Sequence, residues 1–171
     1  MKKSDLLEVE YKEFYATYLN AIEDVELMSE QLNGKKQFID LVDAISATQL
    51  CYAYGENKWT VAEVLLHIID TERVFQYRAL CFCRNDKTAL PGFNENDYVK
   101  EVSVSNRNKE NIVEEFLAVR ESTITLFKNI SKEQLLYTGT ASNIPWSVGG
   151  LGFVICGHQK HHMKIIEERY L

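Results

Sequence analysis

The first ninety residues of this chain contain no proline, and all 171 residues contain only two, Pro91 and Pro145. Proline removes a backbone donor and clashes with the preceding helical turn, so long proline-free stretches favour helix. Apolar residues in these stretches recur every three or four positions. Leu7, Tyr11, Phe14, Tyr18, Ile22, Val25 and Met28 form one such stripe, which predicts a helix over about 4–32 ended by Asn33-Gly34. A shorter helix is expected over 35–47, then the link "YAYGENKW". Thr60-Val61-Ala62-Glu63 is a capping box that opens a helix running to about Phe82. The stretch "RNDKTALPGFNENDYV", residues 84–99, reads as a loop with a Pro-Gly turn.

A third long helix is expected from about Asn108 to Asn129, with Ile112, Phe116, Val119, Thr123, Leu126 and Phe127 on one side. Ser131-Lys132-Glu133-Gln134 suits a short helical turn, and 137–146 a loop. Ser147 is placed to cap a last helix reaching about Tyr170. No stretch alternates with a strand period over a useful length. The expected fold is all-α: one domain over 1–171, a four-helix bundle with long connections and short extra helices.

Hydrophobic residues make up 46% of the chain, enough for a real core, and the net charge of −6 argues against a nucleic-acid surface. No apolar run of about 18 residues is present, so no membrane span is expected. The start, "MKKSDLLEVEYKEF", lacks the apolar core of a signal peptide. A cytoplasmic location with four reduced cysteines follows as the expectation. Cys81 and Cys83 form a CxC without a second pair, a weak zinc signal that small apolar helix residues explain as well.

Histidine is used sparingly and unevenly. Three of the four lie in "GHQKHH": His158, His161 and His162; the fourth is His67. With about 100° per residue and Val148 as zero, the apolar residues of the last helix fall between about 240° and 360°. His158 at about 280° and His162 at about 320° lie inside that arc, while His161 at about 220° sits at its edge. On the capped helix His67 falls within or beside the inward face, and Glu72 also counts as inward. Two histidines at i and i+4, with a third from another helix, can hold one divalent ion and leave positions open for water. Imidazole suits Zn, Ni, Cu and Fe alike. A lone inward histidine such as His67 is also commonly a hydrogen-bonded core residue, so both readings stand at this level.

Asp70 and Glu72 are candidates to orient His67 or to pair with cations in the bundle, and Arg73 and Arg78 could be those cations. His161 is read as a surface or supporting residue. Arg169 lies in line with the histidines, where it could meet an anionic substrate or reach out at a frayed end. Trp59 and Trp146 read as core anchors, "GGLG" at 149–152 as close helix packing, and Cys156 as an inert core thiol.

At these residues the chain resembles the DinB-like (DinB/YfiT) family. "KWTVAEVLLHIIDTERVFQYRAL" is similar to the family's signature helix with H-x-x-D-x-E-R, and "LPGFNENDYV" to its Leu-Pro-Gly-Phe loop. "EEFLAVRESTITLF" and "GHQKHHMKIIEERY" match its later helices, so the resemblance runs from about Tyr52 to the end. It implies a four-helix bundle of up-down-down-up type and a metal site of three histidines, here His67, His158 and His162. It implies a divalent ion, Ni or Zn foremost, a homodimer and, for an enzyme, a small-molecule substrate; charge and hydropathy leave neither nucleic acid nor membrane as an expected partner. Family activities include thiol-dependent transfer and isomerisation, so a metal-dependent transferase or hydrolase acting on a small electrophile, with a low-molecular-weight thiol as co-substrate, is one expectation. A non-catalytic metal-binding or stress-response protein is the other. The family commonly has Glu where this chain has Gln159.

Overall fold

The computed structural model describes residues 1–6 and 15–171. Short helix α1 covers Ala16–Asn20, and long helix α2 covers Leu27–Ala44. One turn, α3, follows at Ala47–Leu50, and α4 runs Val61–Cys83. After a loop come α5 at Glu95–Glu101 and α6 at Lys109–Lys128. The chain ends with a hairpin, β1 Thr138–Ala141 and β2 Ile144–Ser147, and helix α7, Val148–Arg169. The chain folds as an all-α four-helix bundle with one small hairpin. No helix among the described residues is long and apolar enough to cross a membrane.

The long helices start where their caps dictate. Thr60 accepts from the Glu63 N–H at 3.3 Å while Glu63 accepts from the Thr60 N–H at 2.6 Å. Asn108 and Asn111 form the same reciprocal cap on α6, and Ser147 caps α7 by accepting from the Gly150 N–H at 2.9 Å. Each satisfied N–H would otherwise be an orphan of the first turn.

The first helix departs from the periodic expectation. The stripe breaks at 21–26, and α2 runs straight through Asn33-Gly34 rather than stopping there. Leu7, Tyr11 and Phe14 lie outside the described residues. Gly34 is retained for its missing side chain: a Cβ there would sit 2.8 Å from Arg120 Nη1 and 2.9 Å from Gln159 Oε1. A glycine that stops a helix and one that admits a neighbour look the same in sequence.

The hairpin is the second departure. Residues 137–146 were expected as loop, but Thr138 pairs with Ser147, Gly139 with Trp146, Thr140 with Pro145 and Ala141 with Ile144. The turn residues Ser142 and Asn143 both adopt positive φ, 54° and 61°, the pattern of a two-residue turn that matches strand twist. Leu90 adds a parallel bridge to Ala141, so the Leu-Pro-Gly-Phe loop is pinned to the hairpin.

In the bundle, α2 packs against α6 and α7, and α4 packs against the same two. α1 lies along α7, where a Cβ on Gly157 would collide with the Tyr18 carbonyl. Two apolar clusters fill the interior. One joins α1, the hairpin and the halves of α4 and α7 nearest it around Phe75, Phe82, Trp146 and Phe153. The other joins α2, α3, α6 and the opposite halves of α4 and α7 around Phe38, Leu65, Ile112 and Phe116.

One polar layer joins all four long helices. Arg120 of α6, wholly buried, donates from Nε and Nη2 to Glu72 of α4 at 2.8 and 2.7 Å. Nη2 also reaches Gln159 Oε1 of α7 at 2.7 Å, and Nη1 reaches the Gln31 carbonyl of α2 at 3.2 Å. Gln159 Nε2 in turn donates to the Gly34 carbonyl at 2.7 Å.

Candidate metal centre

His67 sits in the second turn of α4, and His158 and His162 sit one turn apart on α7. These two helices pack on each other, so residues on their facing sides meet. The ring nitrogens of His67, His158 and His162 lie within 4.8 Å of one another. His67 Nε2 and His158 Nε2 are 3.0 Å apart. The rings are held from behind: Thr71 Oγ1 lies 3.4 Å from His67 Nδ1, and the Trp59 ring is 4.9 Å from the His67 ring. Tyr18 meets the His158 ring edge-on at 5.1 Å, a position set by the close passage of α1 over Gly157.

Burial keeps these imidazoles neutral. Desolvation pulls His67 down to about 4, with a small opposing pull from the Glu95 carboxylate. Desolvation and its histidine neighbours hold His158 far below the usual histidine range. The same causes bring His162 down to about 3. A charged imidazolium costs desolvation energy and repels the next ring, so the lone pairs stay free.

This donor set fits a divalent ion. Nitrogens about 2.0–2.1 Å from a common centre stand about 2.8–3.0 Å apart at octahedral right angles and about 3.3–3.4 Å apart in a tetrahedral shell, close to the His67–His158 separation. Two neutral imidazole nitrogens facing at that distance either share a proton or face an ion between them.

The histidines form part of the wall of an open cleft of about 440 Å³. Its other walls include Tyr15, Tyr18, Trp59, Phe75, Arg78, Phe93, Glu95 and Ser142. A cleft against the rings leaves room for a small molecule beside them.

The remaining sequence candidates go to other places. Glu72 turns away from His67 to the buried Arg120, so it binds the bundle together rather than orienting a ring. Gln159 lies in the same network; its inward position answers to Arg120 and Gly34, not to the cleft. Asp70 is half-buried and its carboxylate meets Arg73 at 3.4 Å. Arg73 also binds Glu115 at 2.7 Å. His161 is half-buried beside Tyr18, ring centres 5.3 Å apart. Arg169 donates to the Tyr54 hydroxyl at 3.2 Å and stacks on its ring. Cys156 is fully enclosed and its thiol is pushed up to about 12 by burial, so it is inert at neutral pH. All four cysteines are free.

Trp59, expected only as an anchor, lines the cleft, whereas Trp146 is wholly buried with its Nε1–H on the Ala141 carbonyl at 3.2 Å. Glu95 and Ser142 lay in stretches read as loop, with no local pattern to mark them. Arg78 was considered only as an ion-pair partner.

The family model of the DinB superfamily matches residues 34–166. Among solved structures, YfiT from Bacillus subtilis superposes with a TM-score of 0.68 at 16% sequence identity, over 95% of this chain and 89% of that one. That protein is described as a probable metal-dependent hydrolase with an unusual four-helix bundle topology. No curated protein matches the chain.

Proposed function

The chain belongs to the DinB superfamily, and on that basis we propose that it is a metal-dependent hydrolase of a small molecule. His67, His158 and His162 would hold a divalent ion, with zinc or nickel suited to three neutral imidazoles. The observation that carries this is the meeting of three neutral histidines from two helices at the wall of an open cleft. The description of YfiT as a probable metal-dependent hydrolase supports the same reading. An ion there would polarise a substrate oxygen and make a bound water acidic near neutral pH.

The protein's own residues supply position and proton handling. Thr71 and Trp59 fix the His67 ring, which keeps the donor set pre-organised. The Tyr18 hydroxyl is pushed above its ordinary range by burial, so it stays protonated and can donate to a developing oxyanion. Glu95 is the carboxylate among the described cleft residues and is open to solvent, placed to take a proton from attacking water and pass it out. Phe75 and Trp59 form apolar wall against which a substrate body can pack.

A structural site would be closed by a fourth protein ligand; among the described residues the cluster holds three. The test is elemental analysis of protein purified without an affinity tag, then hydrolysis of an ester, amide and phosphoester panel before and after chelation. One ion per chain and chelator-sensitive turnover are expected. A protein that binds no divalent ion tightly, or whose turnover ignores chelation, overturns the reading. Turnover that appears only with an added low-molecular-weight thiol would make the chain a thiol-dependent transferase instead.

A further inference from the structure

Arg78 is a buried cation, 2% exposed, on the α4 turns beyond His67, and it lines the same cleft as the three histidines. Among the described residues it forms no ion pair with a carboxylate. Its Nη2 donates to the Pro91 carbonyl at 3.1 Å and to Ser142 Oγ at 3.0 Å, both neutral acceptors. Its guanidinium lies over the Phe75 ring, 5.4 Å from the ring centre.

An arginine carries five N–H donors, and the two on Nη2 account for these contacts, which leaves those of Nε and Nη1. No described residue accepts from either nitrogen, and Arg78 lines the cleft. A buried guanidinium normally has a carboxylate partner, because its charge is costly in a low-dielectric site. Arg120 in this chain shows that pattern, and among the described residues Arg78 does not.

We propose that Arg78 binds an oxyanion, so that the small molecule taken into the cleft carries a carboxylate or phosphate group. Planar N–H donors on a guanidinium match the oxygens of such groups. The clasp on Pro91 and Ser142 holds the guanidinium in place between the Leu-Pro-Gly-Phe loop and the hairpin. An anion would supply the counter-charge that no described carboxylate gives Arg78. Glu95, the one carboxylate among the described cleft residues, is solvent-exposed and so screened, which weakens its repulsion. This assignment rests on the hydrolase reading in one respect only, that the bound anion is then hydrolysed.

The test uses chelator-treated protein, so that no ion can bind the probe. Sodium acetate and inorganic phosphate are titrated separately while the arginine Nε–H resonances are followed by NMR. Arg78 is identified by the resonance missing from Arg78→Lys. A saturable shift of that resonance is expected, and Arg78→Gln should weaken anion binding about ten- to hundred-fold, the effect of losing charge-assisted hydrogen bonds. Acetate acting alone assigns a carboxylate, and phosphate acting alone a phosphate. An Arg78 resonance indifferent to both anions overturns the proposal and leaves Arg78 as a clasp between two loops. So does a folded Arg78→Gln that binds as tightly as the parent. Should that variant fail to fold, the titration of the unsubstituted protein still decides. Zinc titration of the same samples separates the two readings: no zinc with anion binding intact sinks only the hydrolase, and zinc without anion binding sinks only the oxyanion site.

Discussion

Replacing Glu72 by Gln should be among the most damaging single-atom changes available to this fold. The substitution keeps shape and one acceptor but removes the one negative charge that touches Arg120 among the described residues. Glu72 is 2% exposed and Arg120 wholly buried, joined by two hydrogen bonds of 2.7–2.8 Å. Burial works against the Arg120 charge, and its surroundings, the Glu72 carboxylate foremost, more than offset it. Breaking one partner of such a pair costs about 3–5 kcal/mol, because the other charge is left uncompensated in a low-dielectric layer. The new amide N–H would also point at a guanidinium donor. For a domain of this size about 1 kcal/mol corresponds to roughly 2–4 °C, so a fall of about 10 °C in melting temperature is expected. The measurement is thermal and urea unfolding by circular dichroism of Glu72→Gln, Arg120→Met and the double variant Glu72→Met/Arg120→Met. The double variant should be far less damaged than the sum of the singles, because neither charge remains buried alone. A loss below about 1 kcal/mol in Glu72→Gln would refute the reasoning, since it would mean that water reaches the pair.

His162→Ala should abolish tight divalent-ion binding, whereas His161→Ala, whose ring is beside Tyr18 and outside the three-histidine cluster, should retain it; calorimetric zinc titration of both distinguishes them. In chelated protein, stability should fall as pH drops from about 6.5 towards 4, because the unfolded chain takes up a proton at His67 before the folded one, whose pKa is held near 4 by burial. The loss from His67 should level off below about 4, and urea midpoints across that range measure it. Gly157→Ala should push α1 off α7, since the added methyl collides with the Tyr18 carbonyl, and should weaken zinc binding through the displaced Tyr18–His158 packing; zinc titration with a melting curve checks both. Tyr77, Leu80 and Tyr98 are exposed at 57%, 40% and 48%, Tyr77 and Tyr98 beside the Leu-Pro-Gly-Phe loop and Leu80 one turn further along α4, and a homodimer that covers them is expected by sedimentation, with Leu80→Glu giving a monomer.

The chain's own pattern was enough for the long helices after residue 60. Thr60, Asn108 and Ser147 are local caps, and a cap acts within one turn, so it can be found without knowing what the helix packs on. The pairing of His158 with His162 was legible for the same reason. Helical phase is a local property, and it separated His162 from His161 by their angle to the apolar arc.

What tertiary structure decided were the partners. Glu72 and Gln159 both face inward on their own helices, yet whether an inward polar group meets a histidine or an arginine depends on which helices are neighbours. Here α6 brings Arg120 between them. Gly34 carries a helix-stop signal in sequence but continues α2, because the space its missing Cβ leaves is taken by Arg120 and Gln159. The hairpin escaped notice because two four-residue strands are too short to show a period, and Ser142-Asn143 is a less common turn pair than Asn-Gly. Arg78 gains its surroundings only where the hairpin and the loop at Pro91 close around it. A side chain's charge is written in the sequence, but whether that charge finds a carboxylate or is left facing a cleft is settled by contacts between residues far apart in the chain.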